Sequence, residues 1–123
     1  MSLNVRNEDT RPFAKTMFLE GRLDTNTAVA FDTELDTMLE SPIKVLVLDL
    51  AELEYLSSAG IRSLYRAQKL MKARAGKTLI VNPRPSVKKV FDIVKAVDLS
   101  SVFASVKELD DYLDVIQQKG ETE

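Results

Sequence analysis

The run Ile43-Lys44-Val45-Leu46-Val47-Leu48-Asp49-Leu50 constrains this chain more than any other stretch. Six of its eight residues are aliphatic and only Lys44 and Asp49 interrupt them. A run this short and this apolar reads as a central strand covered on at least one face. Such a strand needs paired neighbours and a layer above it. A chain of 123 residues is long enough to supply both as one domain with a real core.

The flanking sequence supplies candidates for every part. Leu3 to Arg6 and Lys15 to Glu20 are β-like, separated by a polar turn at Asn7 to Pro12. Gly21-Arg22-Leu23-Asp24 closes the second run, and Asp24 or Thr25 can cap a helix carrying Ala28, Phe31, Leu35 and Met38 at helical spacing. Ser41-Pro42 stops that helix. After the central strand, Ala51 to Ser57 reads as a loop. Ile61, Leu64, Ala67 or Gln68, Met71 and Ala75 then form a second helical stripe ended by Gly76. Thr78 to Val81 is a strand, and Pro85 stands near the start of a third helix with Val87, Val90, Phe91, Val94 and Val97 on one side. Val102 and Phe103 suit a short strand or a packed loop. Leu109, Leu113 and Ile116 mark a last helix from about Ser105, with a polar tail from Gln117 to Glu123. The order β-β-α-β-α-β-α-(β)-α predicts an α/β domain: a mixed sheet of four or five strands with parallel crossovers and about four helices packed on it. The expected domain spans 1–119, with 120–123 a flexible tail. Phe31, Leu46, Leu48, Leu64, Val90 and Phe91 are its expected core.

Composition excludes whole classes of chemistry. With no histidine there is no imidazole base, no Ser-His-Asp triad and no histidine phosphorelay. With no cysteine there is no disulfide, no thiolate nucleophile and no zinc-binding pattern. No cofactor or metal is expected. No apolar run approaches 18 residues, and the opening Met1 to Asp9 carries Asn4, Arg6, Asn7, Glu8 and Asp9, unlike a signal peptide. A cytoplasmic protein with no membrane insertion is the expectation.

The stretch that carries chemistry is Asp49-Leu50-Ala51-Glu52-Leu53-Glu54-Tyr55-Leu56-Ser57-Ser58-Ala59-Gly60-Ile61-Arg62. Two hydroxyls stand where a buried strand gives way to a helix. A helix N-terminus offers free N–H groups and the positive end of the dipole, which suit a phosphate. Ala59 and Gly60 are small, so another chain or a phosphoryl donor could approach Ser58 closely. The same placement equally suits serines that only cap a helix.

Asp49-Leu50 followed by Tyr55-Leu56-Ser57-Ser58-Ala59-Gly60-Ile61-Arg62 closely resembles the signature of the STAS domain family, which includes bacterial anti-sigma factor antagonists, or anti-anti-sigma factors. Gly21-Arg22-Leu23-Asp24 resembles the family's turn before its first helix, and the likeness extends over essentially the whole chain. The resemblance implies a protein-interaction switch in transcription control rather than an enzyme. The dephosphorylated protein binds an anti-sigma factor and so frees a sigma factor. The anti-sigma factor is typically also a serine kinase using ATP and magnesium, and a separate serine phosphatase reverses its action. The modified serine precedes an Ala-Gly or Ser-Gly pair, which makes it Ser58 here. Many members carry Asp directly before that serine where this chain has Ser57, so Ser57 is the alternative acceptor. Other members sense ligands or serve transport complexes without phosphorylation, and that is the alternative function.

Charge is segregated along the sequence. Between Tyr55 and Phe91 there is no Asp or Glu, yet the span holds nine Lys and Arg residues, in a chain of net charge −2. Arg62, Arg66 and Lys69 share one helical face, which could steer an acidic partner toward Ser58 or could simply be solvated. Asp24, Ser57, Ser58, Ala59, Gly60, Arg62, Arg66 and Lys69 are therefore the expected partner-binding residues. A nucleic-acid role is not expected: the isoelectric point is about 5.3 and no basic-aromatic motif is present. A weak nucleotide hydrolase lacks a recognisable catalytic pair.

Overall fold

Leu3–Arg11 (β1) and Ala14–Leu23 (β2) form an antiparallel hairpin whose two-residue turn, Pro12-Phe13, lies between the pair Arg11 and Ala14. The computed structural model describes residues 3–96 and 105–122. The expected polar turn at Asn7 to Pro12 is therefore mostly strand: Asn7, Glu8 and Asp9 pair with Met17, Thr16 and Lys15. Their side chains are exposed on an edge strand, so polarity there reflects solvent on the strand rather than a turn. Phe13 takes a positive φ of 67°, and its carbonyl accepts from the amides of Lys44 (2.7 Å) and Val45 (3.1 Å). The hairpin is thus tied to the start of the central strand.

That strand, Val45–Leu56 (β3), runs parallel to β2 on one side and to Lys77–Val81 (β4) on the other, giving a mixed sheet in the order β1-β2-β3-β4. The parallel crossovers are made by Ala28–Met38 (α1) and Ser58–Ala73 (α2). Pro85–Ala96 (α3) follows β4, and Val106–Thr122 (α4) is the fourth helix among the described residues. This is the α/β architecture expected, with four strands. The suggested strand at Val102 and Phe103, and Val97, lie outside the described residues.

The core follows the apolar spacing. Leu46, Leu48 and Leu50 of β3 are fully buried, while Val45, Val47 and Asp49 on the opposite face are half-buried. Helix α1 buries Ala28, Phe31, Leu35 and Met38, and α2 buries Leu64, Ala67 and Met71. Val90 is buried and Phe91 packs half-buried against the core.

Three sequence expectations are corrected. Ala51 to Leu56 is strand, not loop, because β3 carries two bulges. Between the pairs Phe18–Asp49 and Glu20–Glu52 it spends three steps against two on β2, and between Gly21–Leu53 and Arg22–Tyr55 two against one. Each extra residue shifts the inward set, so Leu53 and Leu56 continue the buried face out of simple alternation. Next, α2 stops at Ala73, and the left-handed position after it is Ala75 (φ 59°) rather than Gly76. Gly76 serves close packing, since a Cβ there would come within 2.6 Å of the Lys44 carbonyl oxygen. Finally, α4 continues to Thr122, so the polar tail expected from Gln117 is helical, and Gln117 itself is buried. Ser105 opens that helix as expected, its Oγ accepting from the Glu108 amide at 3.1 Å.

Candidate functional site at the start of α2

The carboxyl end of β3 delivers Leu56, Ser57 and Ser58 directly to the first turn of α2. Ser57 is the N-cap: its Oγ accepts from the Gly60 amide (3.2 Å) and its carbonyl from the Ile61 amide (2.8 Å). Its own amide donates to the Leu23 carbonyl at the end of β2 (3.0 Å). Ser57 therefore does the capping that the sequence left open between the two serines.

Ser58 is the first helical residue. Its amide donates to Asp110 Oδ1 of α4 at 2.9 Å. Its hydroxyl is buried and finds no hydrogen-bond partner among the described residues. The residue is only 3% exposed, so the expectation of a reachable hydroxyl is corrected: it is buried, and α4 lies close enough to bond the amide of the same residue. Gln117, two helical turns beyond Asp110, clamps the backbone of Leu56, two residues upstream of Ser58. Its Oε1 accepts from the Leu56 amide (2.8 Å), and its Nε2 donates to the Leu56 carbonyl (2.8 Å) and to the Leu113 carbonyl (3.1 Å). Both contacts span more than fifty residues of sequence, which is why local reading missed them. The one available signal was a glutamine seven residues after Asp110 and four after Leu113, on the side of the helix that carries the apolar stripe.

Ala59 and Gly60 are buried as well, and Gly60 does not leave room for a visitor. A Cβ there would stand 2.6 Å from the Leu23 carbonyl oxygen and 2.7 Å from Leu56 Cδ1. The glycine lets α2 seat against the ends of β2 and β3. Gly60→Ala must therefore displace backbone, and it should lower the unfolding free energy by about 1–3 kcal/mol. An unchanged denaturant midpoint would contradict this packing.

Asp24 lies at the end of β2, where Oδ1 accepts from the amides of Asn26 (3.0 Å) and Thr27 (3.2 Å). Helix α1 begins at Ala28, so Asp24 shapes the turn before it rather than occupying the cap position, which Thr27 holds. Thr27 Oγ1 donates to the Arg22 carbonyl at 2.7 Å and accepts from the Asp24 amide at 2.9 Å, locking the turn from both sides. Arg22 pairs with Asp24 (3.6 Å) and stacks 3.9 Å over the Tyr55 ring. Burial, and then the carboxylates of Asp114 and Asp110, hold the Tyr55 hydroxyl's pKa above its ordinary value; Arg22 opposes them. The site is thus bounded by acids from α4 as well as by Asp24.

The basic face is divided. Arg62 and Lys69 are exposed, but Arg66 is engaged by α1, with Asp36 Oδ1 at 2.7 Å and Asp32 Oδ1 at 3.7 Å. Arg66 joins two helices and is not part of an open cationic stripe. Glu52 lies apart from these residues, 3.4 Å from Arg84. Among the described residues no group of acids could hold a metal ion, and no helix is long and apolar enough to cross a membrane.

Comparison with known proteins agrees with this fold. The family model for the STAS domain matches residues 6–109. BtrV of Bordetella bronchiseptica, which its name places among anti-sigma factor antagonists, is 31% identical over 75 residues. The match covers 61% of this chain, which spans only 65% of that relative's length. An anti-sigma factor antagonist from Mycobacterium paratuberculosis superposes with a TM-score of 0.66 at 22% identity, covering 94% of this chain and 95% of its own. Unphosphorylated SpoIIAA, also an anti-sigma factor antagonist, superposes at 0.61 and 21% identity over 72% of this chain and 82% of its own. The phosphorylated form of Bacillus SpoIIAA gives the same TM-score. At these identities the three structures establish the shared fold.

Proposed function

This chain belongs to the STAS domain family, and we propose that it acts within that family as an anti-sigma factor antagonist switched by phosphorylation of Ser58. In this reading the unphosphorylated protein binds an anti-sigma factor in the cytoplasm and releases a sigma factor. A serine kinase, the anti-sigma factor itself, then transfers phosphate from ATP to Ser58, and a serine phosphatase removes it. The protein is a binding switch and not an enzyme.

The observation that carries the reading is the buried Ser58 hydroxyl, without a hydrogen-bond partner among the described residues, at the first residue of a 16-residue helix. A buried polar atom without a partner costs stability, and an alanine there would avoid the cost. Ser57 has two structural duties and Ser58 Oγ has none, which favours Ser58 over Ser57 as the acceptor. In this reading the partner surface runs from the same point along α2. Arg62 and Lys69 are exposed on α2 and Asp24 is half-exposed beside it, while Ser57 to Gly60 shape that surface from beneath.

Burial of both serines is the observation that favours a second reading: a STAS module that senses a ligand or serves a transport or signalling complex without phosphorylation. Intact-mass measurement and peptide mapping separate the two after incubation with ATP, magnesium and kinase-type anti-sigma factors from the same genome. One added phosphate on Ser58, retained in Ser57→Ala and lost in Ser58→Ala, is the expected result. No phosphate on either serine with any such kinase favours the second reading.

A further inference from the structure

Helix α4 presents Asp110, Leu113 and Gln117 to the start of α2. They stand three and then four residues apart, so they form one stripe about two turns long. Asp110 bonds the Ser58 amide, Leu113 is fully buried in the core, and Gln117 bonds both backbone groups of Leu56. The two polar anchors of a single helix thus fasten the backbone on either side of Ser57. Gln117 completes the hydrogen bonding of Leu56 much as a further strand would. Asp110 places a carboxylate on the α2 N-terminus, the position an anion prefers.

We propose that α4 is a latched lid over Ser58, and that a phosphoryl group on Ser58 and the Asp110 carboxylate exclude one another at the α2 N-terminus. The inference rests on the reading of Ser58 as the phosphorylated residue. In the transfer step the Ser58 Oγ–phosphorus bond forms as the bond from the γ-phosphorus to the bridging oxygen of ATP breaks. ADP leaves and the hydroxyl proton passes to solvent. None of this can occur at a covered oxygen, so Gln117 and Asp110 must release first, as a local opening of α4. Afterwards the phosphate carries about −1.5 to −2 charges and competes for the N–H groups that Asp110 used. The lid therefore stays off while phosphate is on. The covalent mark is converted into displacement of a helix, which a partner can read without touching the phosphate.

The sequence provides a clean probe, because it contains no cysteine. In the full chain, Ser58→Cys should react with Ellman's reagent at least about tenfold more slowly than Arg62→Cys, an exposed position on the same helix. Gln117→Ala, which changes no charge, should speed the Ser58→Cys reaction at least about fivefold and leave that of Arg62→Cys unchanged. Equal rates at the two positions, or a Ser58→Cys rate indifferent to Gln117→Ala, would overturn the lid. Mutual exclusion is read on the full chain synthesised with phosphoserine at position 58. Amide hydrogen exchange across Val106–Thr122 should quicken about tenfold, while β2 and β3 keep their protection, and Asp110→Asn should blunt the change. Unaltered exchange in α4 would sink that half of the proposal. No kinase enters either measurement, so a Ser58 that no kinase modifies would defeat the proposed function and leave both readouts standing.

Discussion

Leu46→Ala is expected to lower the free energy of unfolding by about 2–5 kcal/mol. Leu46 is fully buried on β3, paired with Lys15 of β2 on one side and Thr78 of β4 on the other. Both neighbours run parallel to it, so the strand has no free edge along which to relax. Removing the isobutyl group forfeits its transfer energy and leaves a cavity under helices already in contact with the sheet. A domain of this size has roughly 5–15 kcal/mol to lose. The variant should therefore remain foldable but unfold at clearly lower denaturant, with an unchanged dependence on denaturant concentration. A midpoint equal to wild type would mean that β3 is not the centre of the core.

The other large effect is on partner binding. Ser58→Asp should weaken binding of the anti-sigma factor by about 3 kcal/mol, roughly 150-fold, while Ser58→Ala binds as wild type does. The alanine removes only an unpartnered hydroxyl. The aspartate brings a second carboxylate to a buried position whose amide already engages Asp110 at 2.9 Å. Like charges there cannot both stay covered. The side chains of α2 and α4 around the site must rearrange, while Leu46, Leu48 and Leu50 lie in the sheet and keep the fold. Calorimetric titration of both variants against the partner provides the measurement. Equal affinities for Ser58→Asp and wild type would remove the switch.

The sequence made the sheet legible because the run Ile43 to Leu50, which leads into β3, is aliphatic at six of its eight positions and the helical stripes repeat at three and four residues. Periodicity failed where geometry departs from it. The two bulges in β3 broke the alternation and made Ala51 to Leu56 resemble a loop. The hairpin's exposed edge gave Asn7 to Asp9 the polarity of a turn. At the site, the motif located Ser57 and Ser58, and a local rule was enough to expect a capped helix. What the motif could not contain was α4. Asp110 reaches Ser58 from 52 residues away and Gln117 reaches Leu56 from 61, and no local pattern encodes a contact of that range. The same limit applies to Arg66, whose charge joined a basic stripe on the helix but is spent on Asp32 and Asp36 of α1.

The bond between Leu56 and Gln117 has a consequence for the protein while it is being made. Translation delivers the chain from its N-terminus, at about 5–20 residues per second. The 61 residues that separate these partners therefore take about 3–12 seconds to add. Within that interval α2 is completed on β1, β2 and β3 while there is still no α4 to fold over them. Until Asp110 is made, nothing from α4 can bond the Ser58 amide, and on the lid proposal the hydroxyl is then open. A kinase working beside the ribosome would meet an open substrate, whereas one working on the finished protein must wait for the helix to lift. The age of a molecule then becomes a variable in how readily it is marked.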